Sequence, residues 1–202
     1  MPSQSILEEI SEHNTFMSVD EYDAHIKKLA EKYSFDIIEA GRSENNHPIY
    51  LLKTCSKDDT LKKKILVWGF PHPNEPVGQW TIDWLLNHIG KNGDMGCSWY
   101  FVHNADPDGS RLDEGWFKNI TLINYFRNYY RPAPLKQMEW TFPIKYKNHN
   151  WDKPMKETKV MMKILHDVMP DIMYPLHNAQ AGGAYFLSTH KFDDKYYTLQ
   201  SD

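Results

Sequence analysis

Cysteine is nearly absent: Cys55 and Cys97 are the only two among 202 residues, far apart and in no CxxC pair. That excludes a disulfide framework and a cysteine-built zinc site, so any metal site has to come from histidine and carboxylate. No run approaches the ~20 consecutive apolar residues that a transmembrane helix needs. The opening Met-Pro-Ser-Gln-Ser-Ile-Leu-Glu-Glu has neither the basic nor the apolar region of a leader. A cytoplasmic setting without membrane contact is the expectation. Dense basic blocks are missing apart from Lys62–Lys64, read as a solvated loop, and 23 Lys+Arg against 27 Asp+Glu leave a charge of −4. Nucleic acid is therefore a poor partner. Internal repeats and Pro/Gly/Ser linkers are absent too, so nothing marks a boundary and residues 1–202 read as one domain.

What is present is 10 His and 14% aromatic residues, which suit either a carved cleft or a thick aromatic core. Ser18-Val19-Asp20-Glu21 reads as a capping box, followed by Tyr22, Ile26, Leu29 and Tyr33 at helical spacing. Phe35–Ala40 and Pro48–Lys53 read as a hairpin-like pair of strands, and the continuous apolar run Lys64–Phe70 as a central strand covered on both faces. A helical pattern from Val77 to Gly90, a strand Ser98–His103, a turn at Asn104–Gly109, a helix Glu157–Met169 and a strand Asp171–Leu176 complete the alternation. Gly115–Asp152 lacks periodicity and reads as long loops. The fold class is α/β, with a mixed, mostly parallel sheet and helices on both faces.

In open α/β sheets chemistry gathers at the carboxyl ends of strands. Three loops answer that description: His72–Glu75, His103–Asp108 and His177–Gly183. His72 and Glu75, three residues apart, can offer an imidazole nitrogen and a carboxylate oxygen to one ion, and His177 would complete a His₂Glu set with an open position. The spacing alone is weak, since His103/Asp106, His149/Asp152 and His190/Asp193 are rivals. Each residue also has a plainer role open to it. His177 and His103 could be strand-end hydrogen bonders, Gly182-Gly183 a simple turn, and Arg127 and Arg131 surface or cation–π residues rather than anion binders.

Taken together, the loops resemble the zinc carboxypeptidase family, the carboxypeptidase A-like metallopeptidases. Pro71-His72-Pro73-Asn74-Glu75-Pro76-Val77-Gly78 resembles the family's zinc loop, usually written Gly-x-His-Gly-Asn-Glu-x-x-Gly. Gly41-Arg42-Ser43 with Pro48-Ile49-Tyr50 is similar to its Gly-x-Ser…x-Ile hairpin, Asn104–Gly109 to its Asn-Pro-Asp-Gly turn, and Pro154–Thr158 to its Pro-Glu-Thr helix opening. The matches come in the family's order over roughly residues 36–185.

The resemblance implies one Zn²⁺ held by His72, Glu75 and His177, with Arg131 polarising the scissile carbonyl. It also implies a substrate-gripping segment at Asn148-His149-Asn150-Trp151-Asp152, in which His149 stands where the family has arginine. Histidine cannot form the bidentate fork on a carboxylate, so Arg127, Lys145 or Lys147 are the alternatives for that grip. The family's general-base glutamate and substrate-capping tyrosine lie well downstream of the third ligand, whereas Asn178–Asp202 contains no Glu. A partial or degenerate catalytic domain is the expectation. Its substrates would be peptides or, as in the related aspartoacylase and succinylglutamate desuccinylase deacylases, acyl-amino acids. A non-catalytic binding module on the same fold is the rival reading.

Overall fold

The structure, a computed structural model, describes residues 12–54, 62–178, 189 and 191–201. The chain divides into two compact units, Met1–His13 with Asn178–Asp202, and Asn14–His177. The larger unit opens with α1 (Val19–Tyr33). There the Ser18 hydroxyl accepts from the Glu21 backbone N–H while the Glu21 carboxylate accepts from the Ser18 N–H, as the capping box predicts. Strands β1 (Asp36–Arg42) and β2 (Pro48–Lys53) pair antiparallel, confirming the hairpin. Then come β3 (Lys63–Trp68), α2 (Gly78–Asn92), β4 (Cys97–Val102) and α3 (Pro107–Asp113). After α4 (Leu122–Asn128) follow the short hairpin β5 (Ile144–Tyr146) and β6 (His149–Trp151), then α5 (Lys156–Val168) and β7 (Ile172–Pro175).

The main sheet has the order β1-β2-β4-β3-β7. The pairings make β1, β4, β3 and β7 run one way, with β2 alone opposed. Strand side chains alternate between two cores. Ile65, Val67, Trp99 and Phe101 pack with Tyr22, Ile26 and Leu29 of α1 and with Ile82, Leu86 and Ile89 of α2. On the opposite face Leu66, Trp68, Tyr100 and Val102 pack with Val160, Met161, Ile164 and Val168 of α5. Helices thus cover both faces, which is why β3 and β4 read as unbroken apolar runs.

Three expectations need correction. Lys62–Lys64 is no solvated loop: Lys63 and Lys64 open β3, the Lys63 ammonium meets Asp171 at 2.6 Å, and Lys64 Nζ donates to the Val168 carbonyl at 3.1 Å. Asn104–Gly109 is more than a turn. Asp106 caps α3 by accepting from the Gly109 N–H at 2.8 Å, with Pro107 at the first helical position, and Asp-Pro is a helix-start signal as well as a turn signal. Gly115–Asp152 carries α4, capped by Thr121, and the β5/β6 hairpin, whose elements are too short to leave a periodic trace. In the smaller unit the described helix is α6 (Asp194–Ser201), preceded by a bond from the Phe192 N–H to the Tyr197 hydroxyl at 3.0 Å.

Two stability measurements follow. Leu86→Ala empties a site with no exposure and should cost about 2–5 kcal/mol by urea unfolding, whereas Ile123→Ala, at a side chain 63% exposed, should stay within about 0.5 kcal/mol. Burial, reinforced by the charges of Glu157, Asp108 and Asp113, raises the Asp106 carboxyl from 3.8 to about 7. The folded state therefore holds a proton that the unfolded chain releases, and this group's contribution falls as pH rises from 4 to 7. Asp106→Asn retains a capping oxygen and removes the titration. Its stability relative to the parent should climb across that window, by at most about 1.4 kcal/mol per pH unit, and a flat difference would contradict the assignment.

Candidate metal centre

The loop after β3 begins with a backbone reversal at Phe70, which adopts φ 51°. A bulky residue in this left-handed region is strained by roughly 1–2 kcal/mol. The fully buried Phe70 ring, packed near Phe117 with centroids 6.2 Å apart, offsets that cost. The reversal turns His72, Asn74 and Glu75 inward, and all three are buried. Gly78 fixes the other end of the loop: a Cβ there would stand 2.9 Å from the Gly69 Cα, so only glycine lets α2 approach the end of β3.

His177 arrives by a different route. Parallel pairing sets Trp68 opposite Pro175, and the Leu176 N–H donates to the Trp68 carbonyl at 2.9 Å. The residue after Leu176 therefore emerges at the same sheet end as His72, and the two rings lie 4.9 Å apart between centroids. Between them sits Glu75: its Oε1 is 3.1 Å from His72 Nδ1 and its Oε2 is 2.8 Å from His177 Nδ1. Arg131 closes the group, its Nη1 donating to Glu75 Oε1 at 2.7 Å and to Asn74 Oδ1 at 3.3 Å.

A second carboxylate, which sequence reasoning missed, reaches the same two imidazoles. Glu139 Oε2 lies 3.5 Å from His72 Nε2 and 3.4 Å from His177 Nε2. Ligand atoms of His72, Glu139 and His177 all fall within 4.8 Å of one another. Glu139 sits on a 3-10 turn, Met138–Trp140, inside the aperiodic segment, with no spaced partner nearby in sequence to mark it.

The electrostatics follow from this crowding. Burial works to raise the Glu75 carboxyl, but hydrogen bonds from His177 and His72 outweigh it and hold the group at about 2. Burial likewise opposes charge on His177, yet bonds to Glu139 and Glu75 lift its imidazole to about 9. Without a metal, protons and the Arg131 guanidinium balance the two carboxylates. Two imidazoles with carboxylate oxygens form the donor set that suits zinc. His72 Nε2, buried without a hydrogen bond, shows that the pocket holds more polar capacity than its own side chains satisfy.

The other singled-out residues fall elsewhere. His103 bonds Asp23 at 2.6 Å as a strand-end residue, the plainer of its two readings. Arg127 is exposed on α4, and Asn148 and His149 are exposed around the turn of the β5/β6 hairpin. Among the described residues none of these three bonds to the His72/Glu75/His177 group. His190 and Gly182-Gly183 lie outside the described residues. The motifs that look like family hallmarks brace one another. Asp108 accepts from Ser43 Oγ at 2.6 Å and from the Asn45 N–H at 2.8 Å, and Glu157 accepts from the Glu44 N–H at 2.9 Å. A cavity of about 340 Å³ is lined by Tyr130 and Pro132, which flank Arg131, and by Asp106, Asp108 and Glu157, but by none of the imidazole cluster. No described helix is long and apolar enough to cross a membrane.

Comparison with known proteins agrees with this geometry. Carboxypeptidase A from Helicoverpa armigera superposes with a TM-score of 0.59 at 17% identity, over 81% of this chain and 46% of that one. Bovine thrombin-activatable fibrinolysis inhibitor, solved with a tick carboxypeptidase inhibitor, gives 0.57 at 20% identity over 90% and 68%. A metallo-carboxypeptidase from Burkholderia cenocepacia gives 0.53 at 17% identity over 79% and 40%. The chain thus spans less than half the length of the Helicoverpa and Burkholderia proteins, and identities this low speak for the fold alone. No match is found among curated protein sequences. The family model described as zinc carboxypeptidase matches residues 22–181, and the chain belongs to the zinc carboxypeptidase family.

Proposed function

We propose that residues 1–202 form part of a single metallocarboxypeptidase-like catalytic domain, in which His72, Glu75 and His177 hold one Zn²⁺ for hydrolysis of a peptide or acyl-amino-acid amide. The observation that carries this reading is the approach of both Nδ1 atoms to the two oxygens of Glu75, at 3.1 and 2.8 Å. The bound ion would supply Lewis acidity for attack of water on an amide carbonyl. The protein's own part begins with Arg131. Among the described residues only its Nη1 is engaged, on Asn74 and Glu75, leaving Nε and Nη2 to donate to a carbonyl oxygen as negative charge develops there.

Asn148, His149 and Arg127 are the substrate contacts in this reading. His149 in place of an arginine lacks the two-pronged donor geometry, which relaxes the demand for a free terminal carboxylate and leans mildly toward the deacylase variant, while the Asn104–Gly109 turn and the Pro154–Thr158 helix opening speak for the peptidase. The absence of Glu from Asn178–Asp202 leaves the general base unassigned, so these 202 residues should bind zinc yet turn over peptide poorly. The low cysteine content and acidic pI support a cytosolic setting.

The test is zinc content by elemental analysis after purification under metal-replete conditions. One zinc per chain, falling to near zero in both His72→Ala and Glu75→Ala, is the expected result. A zinc-free parent protein, or variants that keep their zinc, would overturn the assignment and leave the non-catalytic binding module in its place.

A further inference from the structure

Each imidazole of the cluster has two edges, and a different carboxylate faces each. Glu75 meets the Nδ1 edges, while one oxygen of Glu139, Oε2, faces both Nε2 atoms at 3.5 and 3.4 Å. These distances are at the long end of hydrogen bonding and can tighten by side-chain adjustment alone. Glu139 is no surface residue resting there by chance. Its turn is anchored by the buried Met138 side chain, and the Met138 carbonyl accepts from Thr158 Oγ1 at 2.8 Å. Thr141 Oγ1 meets the same Thr158 hydroxyl at 2.5 Å. The first turn of α5 therefore fixes both flanks of Glu139.

A neutral imidazole carries one N–H and one lone pair. For Nδ1 to offer its lone pair to an ion, the proton must sit on Nε2, and that N–H needs an acceptor. Nε2 of His72 is buried and has no other partner. We propose that Glu139 is a positioning residue that accepts from both Nε2–H groups, fixing the tautomer and ring orientation of His72 and His177 so that both Nδ1 lone pairs face the Glu75 side. This rests on the zinc-site reading above and adds a residue to it. Glu139 lies at the Nε2 edges, away from the Nδ1 edges where substrate would be attacked, so it does not stand in for the unassigned general base.

The experiment is a zinc competition titration against a chromophoric chelator, using the whole chain and its Glu139→Ala and Glu139→Gln variants, with Glu31→Gln, exposed on α1, as a carboxylate control. Loss of an outer carboxylate partner of this kind typically weakens metal binding about 10–100-fold. Glu139→Ala should show that loss, Glu139→Gln a smaller one because its amide oxygen still accepts a hydrogen bond, and the control none. Nitrogen-15 NMR of the zinc-loaded parent should find Nδ1 metallated and Nε2 protonated in both histidines. Unchanged affinity in Glu139→Ala, or metal on Nε2 in the parent, would overturn the proposal while leaving the zinc site standing. A parent that binds no zinc would overturn both. Glu139→Gln, nearly isosteric, keeps the test decisive if the alanine variant unfolds.

Discussion

The parallel pairing of β7 with β3 is the constraint on which the site depends. His72 and His177 are 105 residues apart in sequence, and nothing local draws them together. The register that sets Trp68 opposite Pro175 does so, because both strands then release their next loops at one end of the sheet. Yet β7 is one of the two edge strands among the described residues, and its own residues are exposed. Its far end is secured by the lysines of β3: Asp171 receives the Lys63 ammonium and the Lys64 N–H, and its own N–H donates to the Lys64 carbonyl at 2.9 Å. Lys63 and Lys64, with no evident role in the sequence, thus help hold the strand end whose pairing brings His72 and His177 together.

Legibility in the sequence tracked how local each signal was. The α1 cap, the β1/β2 hairpin and the apolar β3 run lie within single windows, where hydrogen-bonding residues and hydrophobic period speak directly. The pairing of His72 with Glu75 was likewise a local spacing, whereas His177 entered as a strand-exit residue whose weight came from the family resemblance, since its place depends on strand order. Glu139 left no signal. It belongs to a turn without period, and its importance comes from Thr158 and Met138 holding that turn against α5. The roles of Lys63 and Lys64 were misread on composition, which reports charge but not the carboxylate and carbonyl waiting across the strand.

Charge balance explains why this pocket tolerates so much burial of ionisable groups. Glu75 is almost fully enclosed and yet remains a strong acid, because two imidazoles and a guanidinium donate to its oxygens. Asp106, equally enclosed but facing other carboxylates, is driven the opposite way. Both acids lie in loops at the exits of neighbouring parallel strands, β3 and β4, so strand position alone does not decide which way a carboxyl's pKa moves. Donors do: the imidazole hydrogen bonds on Glu75 outweigh its burial, whereas the Gly109 N–H on Asp106 does not. His177 needs two carboxylates to stay charged in the protein alone, and would have to surrender that proton to a metal ion. The same contacts that stabilise the metal-free cluster therefore compete with loading, and binding should grow easier as pH rises toward the imidazole's value near 9.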